Sequence, residues 1–78
     1  MFFLHQIKRT NGNYDKGIVV KETLDAAKQA YHAYMGAYAY GNNAETDFVS
    51  CMITDNYGGI VNGYNETWNA PATKTTDA

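Results

Sequence analysis

Seventy-eight residues with 45% hydrophobic and 18% charged side chains make one small globular domain, too short for a second. A net charge of −2 gives no reason to expect the basic footprint of a nucleic-acid binder and is too mild for a DNA mimic. The single cysteine, Cys51, excludes an internal disulfide, and no apolar run reaches transmembrane length.

Residues 2–10 alternate as a strand and run into Asn11-Gly12, a strong hairpin signal because both positions of a type I′ turn need positive φ. With those two residues as the loop, Thr10 faces Asn13, Lys8 faces Asp15, His5 faces Ile18 and Phe3 faces Val20. Opposite charges meet and apolar groups meet, which supports that register. Gly17-Ile-Val-Val-Lys21 completes the second strand. The apolar start at residues 1–4 is too short for a signal-peptide core and lacks a basic leader, so the expected location is the cytoplasm of the cell that makes the chain.

Residues 23–40 follow a helical period. At about 100° per residue, Leu24, Ala27, Tyr31, Tyr34, Met35 and Tyr38 share one face, while Asp25, Lys28, Gln29, His32 and Gly36 share the other. Thr23 is placed to cap the first turn, Asp25 complements the helix dipole there, and Gly41 can take the left-handed backbone that ends a helix. Gly36 marks either a close backbone approach or tolerated slack, at a cost of up to about 1 kcal/mol relative to alanine.

Residues 42–46 read as a polar loop, 47–55 as a third strand, 56–59 as a turn and 60–68 as a fourth strand weakened by Gly63. From Asn69 onward the chain is poor in apolar side chains, so residues 1–68 are expected to fold and 69–78 to form a disordered tail. The order ββαββ predicts an α+β fold, with one four-stranded antiparallel sheet and one amphipathic helix across a face.

Strand periodicity assigns Phe3, His5, Ile7, Ile18 and Val20 to the face under the helix, with Val49, Cys51, Ile53, Ile60, Tyr64 and Trp68. The opposite face then carries Phe2, Leu4, Val19, Phe48, Met52 and Val61. One helix cannot cover both sides of the sheet, and an open antiparallel face is ordinarily polar. A second copy is therefore expected to cover Phe2, Leu4, Val19, Phe48 and Met52. The small helix residues Ala30, Ala33 and Ala37 offer a further place for close approach.

No catalytic constellation is visible. There is no nucleophile elbow and no phosphate loop, and His5, His32 and Cys51 are too few and too scattered for zinc. No cofactor or metal is expected, and the chain reads as a non-enzyme. Cys51, within an apolar strand, reads as a core residue. Tyrosine is the remaining signal, because it supplies contact area at low entropic cost together with a polar handle. Tyr34 and Tyr40 flank the core stripe of the helix, and Lys8 and Arg9 lie near the end of the first strand. These four residues are the candidates for contact with a ligand or partner, including a nucleotide held by stacking and phosphate contact.

The runs Tyr14-Asp-Lys-Gly-Ile-Val-Val-Lys21, Ala30-Tyr-His-Ala-Tyr34, Gly36-Ala-Tyr-Ala-Tyr-Gly41 and Asp47-Phe-Val-Ser-Cys-Met-Ile53 resemble small proteins encoded by phages and prophages of gut bacteria. The resemblance spans most of the chain before the tail and brings no catalytic motif. It implies a phage accessory protein in the host bacterial cytoplasm that inhibits host defence, by blocking a host protein or sequestering a small nucleotide signal. The alternative it leaves is a structural or assembly module of a phage particle.

Overall fold

Asn11 and Gly12 both adopt left-handed backbone, with φ of 53° and 80°, as the two-residue turn requires. They join β1 (Phe2–Thr10) to β2 (Asn13–Lys21) in the expected register, with Lys8 opposite Asp15 and Phe3 opposite Val20. The computed structural model describes residues 1–70. After the hairpin come α1 (Leu24–Tyr38), β3 (Thr46–Asp55) and β4 (Ile60–Asn69). The sheet order is β2-β1-β3-β4 and every pairing is antiparallel. The fold of the described residues is therefore ββαββ, an α+β domain with α1 on one face of the sheet.

Thr23 caps α1 by accepting a hydrogen bond from the Ala26 amide at 3.2 Å. Ala27, Tyr31 and Met35, one helical turn apart, form the buried stripe. The helix stops at Tyr38, two residues short of Tyr40. The Ala39 amide still donates to Met35 O, and Tyr40 and Gly41 then turn left-handed with φ of 58° and 81°. A Cβ at Gly36 would meet nothing within 4 Å, so this glycine marks slack and not a close approach.

α1 lies over β3 and β1 and touches β2 less. Beneath it Leu4, Val49, Cys51 and Ile53 are fully buried. Burying side chains of the Leu, Val and Ile size contributes roughly 1.5–3 kcal/mol each before the entropic cost of ordering the chain.

The first hairpin presents its side chains the opposite way from the sequence expectation. Leu4 is in the core, with Phe2 and Val19 packed against it, while Ile7, Ile18 and Val20 are exposed. The cause is the pairing of the two hairpins. β1 meets β3 with Leu4 opposite Ile53, Gln6 opposite Cys51 and Lys8 opposite Val49, so even positions of β1 share a face with odd positions of β3. A one-residue difference in register moves every side chain of a strand to the other face.

Two irregularities adjust the second hairpin. Between Arg9 and Thr10 the β1–β3 register shifts, so that Thr10 pairs with Thr46 and Asp47 is the extra residue. Thr46 is thereby turned inward and fully buried, with its hydroxyl 2.9 Å from that of Thr10. In β4 the pairing jumps from Met52–Asn65 to Thr54–Ile60 around Gly63, whose φ is 86°. Val61 consequently packs on the core while Ile60 is exposed, the reverse of the expected parity. The 56–59 turn is held by Asp55, whose Oδ1 accepts from the amides of Tyr57 and Gly59 at 2.8 and 2.9 Å.

β4 extends one residue beyond the expected end at Trp68. Asn69 pairs with Phe48, and the Ala70 amide donates to Asp47 O at 2.9 Å. The remainder of the expected tail, 71–78, lies outside the described residues.

Candidate functional site

Lys8 and Arg9 are neighbours in a strand, so they leave opposite faces of the sheet. Lys8 lies on the helix side. Its Nζ donates to Asp15 at 2.6 Å and sits 4.8 Å from the centre of the Tyr38 ring. The Tyr34 ring packs 5.2 Å from Tyr38, which joins Lys8 and Tyr34 in one cluster along the β2 side of the helix. Burial pushes the Tyr34 hydroxyl up to about 12.

Arg9 belongs to the outer face. Its guanidinium holds Asp47 through Nε (2.8 Å) and Nη2, and lies 5.8 Å from the Tyr14 ring centre. The hydrogen bond and charge of Asp47 raise its already high pKa further. Tyr40 stands elsewhere again, 6.3 Å from the Trp68 ring on the β4 side. The four expected contact residues thus fall in three separate places. Both cations among them are engaged by carboxylates of the chain itself.

A concave surface exists where Tyr40 stands. The offset of α1 toward β1 and β3 leaves a groove of about 630 Å³ beside β4, lined by Tyr31, His32, Met35, Gly36, Tyr40, Gly63, Tyr64 and Glu66. Tyr31 and Tyr64 meet edge to face at 5.1 Å, and His32 stands 5.7 Å from Tyr64. The Tyr31 hydroxyl donates to Glu66 Oε1 at 2.9 Å. Burial, then this bond, raises the Tyr31 pKa, so the phenol stays a donor.

Two glycines leave the groove open, Gly36 on the helix and Gly63 on the strand, and neither has an atom within 4 Å of where a Cβ would lie. Gly36 costs the helix up to about 1 kcal/mol relative to alanine, and no close packing compensates it. Sequence reasoning placed Tyr31 in the core, where it does lie, but missed the groove. The available signal was Glu66, a carboxylate at the same strand parity as Tyr64 and Trp68.

The outer sheet face is the second feature. Ile18 is 61% exposed, Val20 53% and Ile7 37%, and Phe3, Phe48 and Met52 on the same face are half-buried. Tyr14 extends the patch, with its ring 6.2 Å from Phe48. Among the expected interface residues, Phe48 and Met52 lie on this face, whereas Phe2, Leu4 and Val19 lie under the helix. Ala30 packs against the core, while Ala33 and Ala37 are exposed on the helix. His5 also reaches the outer face and shares a 2.9 Å hydrogen bond with Thr54, on the far side of the sheet from Cys51.

Cys51 is fully buried, and burial pushes its thiol up to about 12, so it offers no nucleophile near neutral pH. Among the described residues, no three or more His, Cys, Asp or Glu side chains come together to hold a metal ion. No helix among them is long and apolar enough to cross a membrane. Comparison of the chain with protein-family models, curated proteins and solved structures finds no match.

Proposed function

We propose that the chain is a small non-enzymatic phage accessory protein that self-associates through the outer face of its sheet and binds a host-defence component to inhibit it. The observation that supports self-association is the apolar outer face, where Ile7, Ile18 and Val20 stand in water. An open antiparallel face is ordinarily more polar than this one, where His5, Lys16 and Arg9 stand among the apolar side chains. The dimensions suit a second copy. Strands of 9 and 10 residues span about 30 Å, and four of them cover about 19 Å. Each copy then contributes on the order of 600 Å², or about 1,200 Å² for a pair, within the range of specific interfaces. A host protein suits the concave surface better than a nucleotide, because among the described residues its lining carries Glu66 and neither lysine nor arginine.

Light scattering at micromolar concentration tests the association. The native chain is expected at twice the monomer mass and Ile18→Asp at the monomer mass, with unchanged far-ultraviolet circular dichroism. A native chain that remains monomeric across the concentration range overturns it. Expression in the bacterial host during phage challenge reads the antagonism as restored plaque formation, and undiminished host protection counts against it.

A further inference from the structure

We infer that the groove between α1 and β4 receives an arginine side chain presented by a partner protein. The inference takes from the proposed function only that a protein partner exists. The groove has the size of a side-chain or small-ligand site, at about 630 Å³. Its walls are aromatic, with Tyr31, Tyr40 and Tyr64 along the lining and Trp68 against Tyr40. Its one carboxylate is Glu66, held in place by the Tyr31 hydroxyl through Oε1. Oε2 makes no hydrogen bond among the described residues and is left to accept from a ligand.

That combination selects a cation with a flat body. Among the described residues no cation lines the groove to answer a phosphate beside Glu66, and the nearby Lys28 Nζ lies over the Tyr64 ring. An aliphatic side chain would leave the carboxylate unanswered. A guanidinium stacks on the exposed Tyr40 ring and donates to a carboxylate at once. The chain already uses this chemistry on itself: Lys28 Nζ covers the Tyr64 ring at 5.2 Å, which leaves Tyr40 for a ligand, and the Arg9 guanidinium lies 5.8 Å from the Tyr14 ring centre. Gly36 fits the same picture, since a side chain there would project at the groove mouth and nothing within 4 Å otherwise requires a glycine.

The test titrates the full chain with N-acetyl-arginine amide and follows ring and backbone resonances by NMR. Saturable shifts centred on Tyr40, Tyr64 and Glu66 are expected. N-acetyl-citrulline amide, which keeps the shape and loses the charge, should bind at least tenfold more weakly. Glu66→Gln should weaken arginine binding at least tenfold, and Gly36→Leu, on the exposed side of the helix, should abolish it while the fold is retained. Absence of saturable shifts overturns the inference. So does equal binding of citrulline, tighter binding of adenosine monophosphate, or arginine binding that survives Gly36→Leu. Failure of the titration leaves self-association and host antagonism standing, whereas binding without restored plaque formation removes the antagonism and keeps the site.

Discussion

The two faces of this sheet are made from similar residues and meet different fates. The inner face carries Leu4, Val49, Cys51 and Ile53, all at 0% exposure under α1. The outer face carries Phe3, Ile7, Ile18, Val20, Phe48 and Met52, and no element among the described residues covers them. Hydrophobicity therefore did not choose the face that the helix covers. The choice follows from β3, whose odd positions are the apolar side that pairs with even positions of β1. It also follows from shape. Opposite Gln6 the inner face has Gly17, and opposite Lys8 it has Asp15, which leaves the flank of the helix to Tyr34 and Tyr38.

The contrast is sharpest in stability. Leu4→Ala should cost about 4 kcal/mol, because it removes transfer energy and leaves a cavity in a packed layer. Ile18→Ala, on a side chain that is 61% exposed, should cost less than about 1 kcal/mol in the monomer. Urea unfolding at a concentration below self-association checks both, and similar losses would erase the distinction between the faces.

Alkaline pH gives a smaller effect that belongs to the inner face alone. Cys51 rises from an ordinary 9.0 to about 12, and Tyr34 from 10.0 to about 12, both chiefly through burial. In each case the unfolded chain releases its proton first, so it binds fewer protons than the folded chain. Stability is then full below about pH 9 and declines as pH rises toward 12, by roughly 2 to 3 kcal/mol near pH 11 from Cys51. Cys51→Ala should remove the part of the decline that begins near 9 and leave the tyrosine part that begins near 10. A stability profile in Cys51→Ala that still bends at 9 would refute the assignment.

The smallest expected effect is at the rim between the faces. Lys8 and Asp15 are in contact at 2.6 Å, but the Asp15 side chain is 71% exposed. Solvent screening limits such a pair, so Asp15→Asn should cost about 0.5 kcal/mol or less. A double-mutant cycle with Lys8→Met measures it, and a coupling above about 1 kcal/mol would show that the Tyr38 ring over Lys8 strengthens the pair.

Local chemistry was readable from the residues, and long-range registry was not. Asn11-Gly12 set the first hairpin to the residue, because the turn itself dictates which positions face each other. Thr23 and the Ala27, Tyr31, Met35 spacing located the helix and its buried stripe. The alignment of one hairpin on the other had no comparable local signal. It depends on Leu4 meeting Ile53 across 49 residues, and on extra residues at Asp47 and around Gly63 that reverse side-chain direction within a strand. The candidate site divided in the same way. Tyr40 was identifiable as a tyrosine outside the core stripe, but its partners arrive from β4, and Lys8, Arg9 and Tyr34 proved to be dispersed. The left-handed Tyr40, at φ 58°, had no sequence signal at all, since that backbone favours glycine or asparagine.

The burial of Cys51 has a practical side. The only thiol in the chain is sealed beneath the helix and protonated at working pH, so maleimides and methanethiosulfonates should pass it by. A cysteine introduced at the surface, such as Ile18→Cys or Tyr57→Cys, would then be the sole labelling handle without first deleting the native one. Paired spin labels at such positions would report distances between copies directly, and a label beside Tyr40 would light up the groove as it fills.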